Sequence, residues 1–224
     1  SVAYHLAERG ERDVVVLERS ELTSGSTFHS AGLVGQLRAD PTLTRMNMYS
    51  VDLYRALERG EFPVGWTESG GIKLASSPER LAEIRGQISW ARTYDLPLHE
   101  ISPAEVAERF PLVDLDGVVG AAYLASDGHV DPSQLCYALA NLARANGTRF
   151  VLHTRVTGIA ASGGRVRGVD TDRGHIDCEV VVNCGGMFAA EIGRLAGVRV
   201  PLVPLEHQYL ITEPFDPSLE PLPT

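Results

Sequence analysis

No run in this chain approaches the roughly 20 consecutive apolar residues that a membrane-spanning helix needs, and its first residues lack a basic stretch followed by an apolar one. A bilayer-spanning role is not expected. Basic excess is missing as well. Lys and Arg number 20 against 29 Asp and Glu, a formal charge of −9 over 224 residues, which offers no positive field to nucleic acid or to an anionic membrane. Cysteine is scarce: Cys136, Cys178 and Cys184 are widely spaced, form no C-x-x-C pair and sit in otherwise apolar segments. They are expected as buried reduced thiols, which favours a reducing compartment such as the cytoplasm or a mitochondrial matrix. His5, His99, His129, His153 and His175 show no metal-ligand spacing, so no metal site is expected. There are no internal repeats and no low-complexity tracts. What remains is an ordinary globular composition, 44% hydrophobic, in a chain long enough for one substantial core or two small ones.

Residues 1–10 read as a helix with Gly10 as its C-cap. Val14, Val15, Val16 and Leu17 then form a buried-looking strand that ends in Glu18 and opens into a Gly/Ser/Thr-rich loop. A dinucleotide-binding fold uses this pattern to set a carboxylate on ribose hydroxyls and backbone N–H groups near phosphates. Glu18 is the candidate carboxylate; a surface glutamate ending a strand is the plainer alternative. In such a fold residues 1–10 are the first helix, and a strand and G-x-G-x-x-G turn should precede it. This chain opens at Ser1 without them. At the other end Pro214, Pro217, Pro221 and Pro223 follow a strand-like run. The chain is therefore expected to be a piece of a longer polypeptide.

The middle of the chain changes character. Residues 41–59 read as a helix with Leu43, Met46, Leu53 and Leu57 among its apolar positions, and residues 65–75 as a turn into a strand of a second sheet. Leu81, Ile84, Ile88 and Ala91 recur at helical spacing behind Pro78 and Glu79. Ser102, Pro103, Ala104 and Glu105 form a capping box with proline at the first helical position. A strand is expected within 117–124, a turn over 127–132 with Asp131 as N-cap, and a helix over 132–146 that buries Leu135, Leu139 and Leu142. Short strands near 149–153, 156–161, 165–170 and 175–177 read as a small antiparallel meander. The apolar run Val180, Val181, Val182 is expected to return to a parallel sheet, turning at Asn183, Cys184, Gly185 and Gly186 into a helix over 189–195. A final strand is expected over about 205–212.

The run Ser24, Gly25, Ser26, Thr27, Phe28, His29, Ser30, Ala31, Gly32, Leu33 resembles the segment of the sarcosine and dimethylglycine dehydrogenase family in which a histidine carries covalent FAD. His29 matches that histidine; the aromatic before it is Phe28 where the family usually has tryptophan. Pro204, His207 and Tyr209 resemble the family's P-x-x-H-x-Y run, whose histidine lies over the flavin near the bound amine. The resemblance implies an α/β fold: a Rossmann-like FAD-binding domain over 1–40 and 150–200, interleaved with an α+β substrate domain containing an antiparallel sheet over 41–149 and 201–224. It implies FAD as cofactor, attached through His29, and oxidative demethylation of a small N-methyl amino acid with hydride transfer to flavin. Electrons would leave to an electron-transferring flavoprotein or to oxygen.

Each candidate has a plain alternative. His29 also fits a loop histidine that contacts phosphate or caps the next helix. Ser24, Ser26 and Thr27 fit turn and cap donors that reach toward phosphate. Gly32 and Leu33 continue the cofactor loop. Gly185 and Gly186 permit close backbone approach to the adenosine side of FAD, and Val156 lies in a strand that contacts adenine in this superfamily, where a core valine looks the same. His207 would orient the substrate carboxylate or tune amine protonation as the catalytic histidine, or sit exposed beside Glu206. Tyr209 reads as packing. Two further readings are a noncovalent FAD enzyme of the D-amino-acid-oxidase type and a non-catalytic regulatory subunit.

Overall fold

In the computed structural model, which describes residues 1–211, 213, 218 and 221–224, the chain forms two compact units. One comprises Ser1–Ser30 with Cys136–Ile211, the other Ala31–Leu135 with the described residues beyond 211. In chain order the helices are α1 (Val2–Glu8), α2 (Pro41–Glu58), α3 (Pro78–Ala91), α4 (Pro103–Arg109), α5 (Pro132–Ala145) and α6 (Ala189–Leu195). The strands are β1 (Val15–Leu17), β2 (Leu33–Val34), β3 (Gly71–Ala75), β4 (His99–Ile101), β5 (Gly120–Leu124), β6 (Gly128–His129), β7 (Arg149–Val151), β8 (Val156–Ser162), β9 (Arg165–Thr171) and β10 (Gly174–Asp177).

The helix starts follow from local chemistry. Asp40 and Ser77 accept from the backbone N–H groups of Leu43 and Arg80, with proline in the first turn behind each. Ser102 and Glu105 form the complete reciprocal capping box. Asp131 Oδ1 accepts from the N–H groups of Ser133 and Gln134 at 2.8 and 2.9 Å. Each of these caps satisfies donors that the first turn of a helix would otherwise leave unpaired.

The first unit holds β1 and β7 in parallel register, Val15 opposite Arg149 and Leu17 opposite Val151, and an antiparallel meander in the order β10-β9-β8. Residues 149–153 were expected in that meander. Instead β7 takes β1 as its partner, because the two strands share hydrogen bonds and the meander begins only at Val156. Val180, Val181 and Val182 form no strand, and Val180 and Val182 are 75% and 55% exposed. Their β-branched side chains favour extended backbone but supply no hydrogen-bonding neighbour, and a strand requires both. Residues 205–211 likewise carry no strand, and position 212 of that expected element lies outside the described residues. The thiols differ from expectation too: Cys136 and Cys178 are only half-buried and Cys184 is exposed, all three free. Cys184 follows the unpaired valines.

The second unit is built on the sheet β3-β5-β4. Its pleat sorts side chains by alternation. Ala75, Ala122 and Leu124 face one way and pack with Ile84, Ile88 and Ala91 of α3. Ile72, Leu74, Ala121 and Tyr123 face the other way together with Ile101 of β4, and Val106 of α4 packs in the same cluster. Thr224 pairs with the free edge of β3 through Gly70 and Ile72. On α2 the buried residues are Thr44, Val51 and Leu57, whereas Leu43 and Met46 are exposed. The turn expected over 127–132 contains β6, which pairs antiparallel with β2 and bridges Thr67.

Asp127 is buried at the head of that turn, accepting from the Gln36 backbone N–H at 3.0 Å and from Gln36 Nε2 at 3.1 Å. Burial pushes its carboxyl above the usual range, against these hydrogen bonds and the attraction of Lys73 and Arg38. Raised in the folded state, the group stabilises the fold below its ordinary value of 3.8 and loses that contribution as pH rises through the folded value. Asp127→Asn keeps an acceptor but does not titrate. Urea unfolding from acid to neutral pH is therefore expected to show wild type losing stability relative to the variant, and parallel profiles would refute this. Ile84 is 0% exposed at the centre of the α3 face. Ile84→Ala is expected to cost about 2–5 kcal/mol in the same assay, followed through Trp90 fluorescence.

Candidate functional site

The β1–β7 pair sets the geometry of the first unit. Glu18 directly follows β1; its N–H donates to Val151 O and its carbonyl accepts from Thr154 N–H. The residue is thereby fixed at the carboxyl ends of two parallel strands, where open α/β sheets bind their ligands. Its Oε1 accepts from Ser20 N–H at 2.8 Å, and the residue is half-buried. A held carboxylate at this edge suits a vicinal diol, since a carboxylate is an acceptor and a diol offers two donors.

The next residues wind through successive turns. Ser24 donates to Glu21 O through both N–H and Oγ, Phe28 N–H to Thr23 O, and Ser30 N–H to Thr27 O. Thr23 adopts φ +71, a left-handed conformation uncommon for a β-branched residue. Outside the loop, Glu21 pairs with His153 at 2.7 Å and Tyr137 Oη donates to Leu22 O at 3.4 Å. Ser24 thus acts as a turn donor, while Ser26 is exposed and Thr27 half-buried. Burial pushes the nearby Cys136 thiol up, which keeps it a poor nucleophile.

His29 ends the loop, exposed, with the Phe28 ring centroid 3.9 Å from its own at 41°. On its Nδ1 sits the Tyr209 hydroxyl at 2.7 Å, with ring centroids 5.8 Å apart. The loop histidine and the P-x-x-H-x-Y segment therefore meet, and the residue that joins them is the tyrosine read from sequence as packing. His207 stands two residues earlier, exposed. Its motif partner at 209 was the available signal.

Arg19 and Phe188 were not singled out from the sequence. The Arg19 guanidinium lies over the Phe188 ring at 3.9 Å, which ties the residue after Glu18 to the turn holding Gly185 and Gly186. In that turn Gly185 N–H donates to Asn183 Oδ1, and Asn183 Nδ2 to Ala189 O. A Cβ at Gly185 would collide with Ile192 Cδ1, so this glycine serves packing against α6; Gly186 has φ +53 and open space where a Cβ would stand. Val156 is half-buried at the start of β8, paired with Thr171. Gly32 and Leu33 belong to the second unit. A Cβ at Gly32, at φ +74, would strike the Val130 carbonyl oxygen, and Leu33 in β2 is 63% exposed opposite His129. The first unit thus gathers Glu18, Ser24, Ser26, Thr27, His29, Val156, Gly185, Gly186 and His207. Among the described residues no group of three His, Cys, Asp or Glu could hold a metal, and no helix is long and apolar enough to cross a membrane.

A family model described as FAD dependent oxidoreductase matches residues 1–224. Mitochondrial sarcosine dehydrogenase of Homo sapiens is 39% identical over 217 residues, 94% of this chain and 24% of that protein. Mitochondrial dimethylglycine dehydrogenase of Rattus norvegicus is 38% identical over 95% of this chain and 25% of its own length. The mitochondrial pyruvate dehydrogenase phosphatase regulatory subunit of Mus musculus is 37% identical over 98% of this chain and 25% of its own. The chain spans about a quarter of the length of these curated relatives. Among solved structures, L-proline dehydrogenase from P. horikoshii superposes with a TM-score of 0.84 and 29% identity, covering 88% of this chain and 52% of that one.

Removing the carboxylate tests the site directly. Glu18→Ala is expected to cost about 1.5–3 kcal/mol of FAD binding, the value of hydrogen bonds to a charged group, or roughly ten- to a hundredfold in Kd. Titration calorimetry measures this, and unchanged affinity would remove Glu18 from the site.

Proposed function

The chain belongs to the FAD dependent oxidoreductase family, and from that premise we propose that it oxidises a small N-methyl amino acid of the sarcosine or dimethylglycine kind, with FAD attached through His29. The observation that carries this reading is the 2.7 Å contact between His29 and Tyr209, which brings the cofactor-loop histidine to the segment bearing His207. The relatives at 38–39% identity named for sarcosine and dimethylglycine support the same substrate class.

Bound FAD supplies the hydride acceptor. Glu18 would hold the ribose hydroxyls, and Ser26, Thr27 and the loop amides would face the phosphates, with Ser24 shaping the turn. Gly186 and Val156 would pass backbone along the adenosine side, with Gly185 setting the turn, while Gly32 and Leu33 continue the loop beyond His29. A neutral imidazole held by a rigid loop supplies position for attachment. His207 would orient the substrate carboxylate or hold the amine neutral, because an ammonium has no lone pair to assist hydride departure. Electrons would leave to an electron-transferring flavoprotein or to oxygen, in a compartment such as the mitochondrial matrix.

A second reading, a non-catalytic regulatory subunit, is favoured by the 37% identity to a phosphatase regulatory subunit. A third is noncovalent FAD with D-amino-acid oxidation. One assay separates all three. Flavin fluorescence is expected to stay with acid-precipitated wild-type polypeptide and to vanish in His29→Ala, and sarcosine or dimethylglycine should bleach the native flavin. Flavin released by acid together with bleaching by D-amino acids would establish the noncovalent oxidase, and absence of any bleaching the regulatory subunit.

A further inference from the structure

His29 offers two ring nitrogens, and the structure distinguishes them. Nδ1 is taken by the Tyr209 hydroxyl at 2.7 Å, and the Phe28 ring lies 3.9 Å from the imidazole, centroid to centroid. Nε2 has no hydrogen bond among the described residues, and His29 is exposed. A phenol beside Nδ1 permits two arrangements. If Tyr209 donates, Nε2 carries the remaining ring proton and has no lone pair to offer. If Nδ1–H donates to Tyr209 Oη, the lone pair lies on Nε2. Tyr209 is exposed, so its own O–H can turn to solvent while the oxygen accepts.

We propose that Tyr209 is a positioning residue for His29: its hydroxyl oxygen accepts the Nδ1 proton and holds the imidazole in the tautomer whose lone pair is on Nε2. The inference rests on the reading that His29 carries the flavin. Bond formation joins Nε2 to the ring-methyl carbon of the flavin and breaks one methyl C–H bond and the Nδ1–H bond. The electron pair and two protons pass through the flavin ring to dioxygen, the two-electron oxidant, which leaves as hydrogen peroxide. Nδ1 then has the lone pair, and the Tyr209 O–H reverses to donate to it. The same hydrogen bond serves before and after attachment, as in metal sites where a partner on one ring nitrogen fixes the role of the other.

The test uses flavin-free and FAD-loaded protein, wild type and Tyr209→Phe. Nitrogen-15 shifts of His29 in the flavin-free protein are expected to show Nδ1 protonated in wild type and Nε2 protonated in Tyr209→Phe. After FAD is added, attachment followed by acid-stable fluorescence should slow by about tenfold, the effect of one lost hydrogen bond. FAD binding before attachment should stay unchanged, which separates tautomer control from a general loss of the fold. Protonated Nε2 in wild-type His29 overturns the proposal, as does Tyr209→Phe that keeps the wild-type tautomer and attachment rate. If wild type binds FAD but releases it in acid, the attachment reading fails by itself. The nitrogen shifts, taken without flavin, then still decide the role of Tyr209.

Discussion

Parallel pairing of β1 with β7 is the constraint on which the first unit depends. It joins residues separated by more than 130 positions, and Arg12 to Asn146 and Arg149 to Asp13 reinforce it at the same end. Because the strands run the same way, their carboxyl ends coincide, and the segments leaving them face one another. Glu18 leaves β1 and at once hydrogen-bonds residues beyond β7. The Glu21–His153 pair repeats the link one turn further on. A carboxylate, a turn-rich loop and an aromatic-flanked histidine are thereby hung on one strand end without any of them needing a long rigid element of its own.

The second unit obeys a different rule. Its sheet is antiparallel, its connections are short and its two faces are each covered by a helix whose start is fixed by a side-chain cap. Apolar contact is sorted by strand alternation, so the cores on the two sides of the sheet grow from successive residues of the same strand. The unit's buried polar residues include Asp127, whose carboxyl group takes hydrogen bonds from the equally buried Gln36, with Gln36 also donating to Ser126.

What was legible in the sequence was what local chemistry decides. The caps at Ser102 and Asp131, the α3 stripe and the strand ending in Glu18 are each written within a few residues. What was not legible depended on distant partners. β7 reads like the strands that follow it, and only a three-dimensional neighbour makes it parallel to β1. Val180 to Val182 have the composition of a buried strand and lack the partner. β2 and β6, two residues each, are too short for a period to register. Tyr209 fits packing on sequence grounds, because an aromatic in an apolar run carries no sign of the histidine 180 positions away.

The distance between β1 and β7 also fixes an order of events. A ribosome makes the chain from its N-terminus, so residues 15–17 emerge while residues 149–151 are still unmade. At about 5–20 residues per second, β1 waits for its partner for on the order of ten seconds, an apolar ribbon ending in a polar loop. In that interval the antiparallel sheet of the second unit acquires every strand it needs, for β3, β4 and β5 all precede β7. The three-stranded sheet that the sequence interposes is thus the part able to form first, and the edge that bears Glu18 is completed only when synthesis has passed it by.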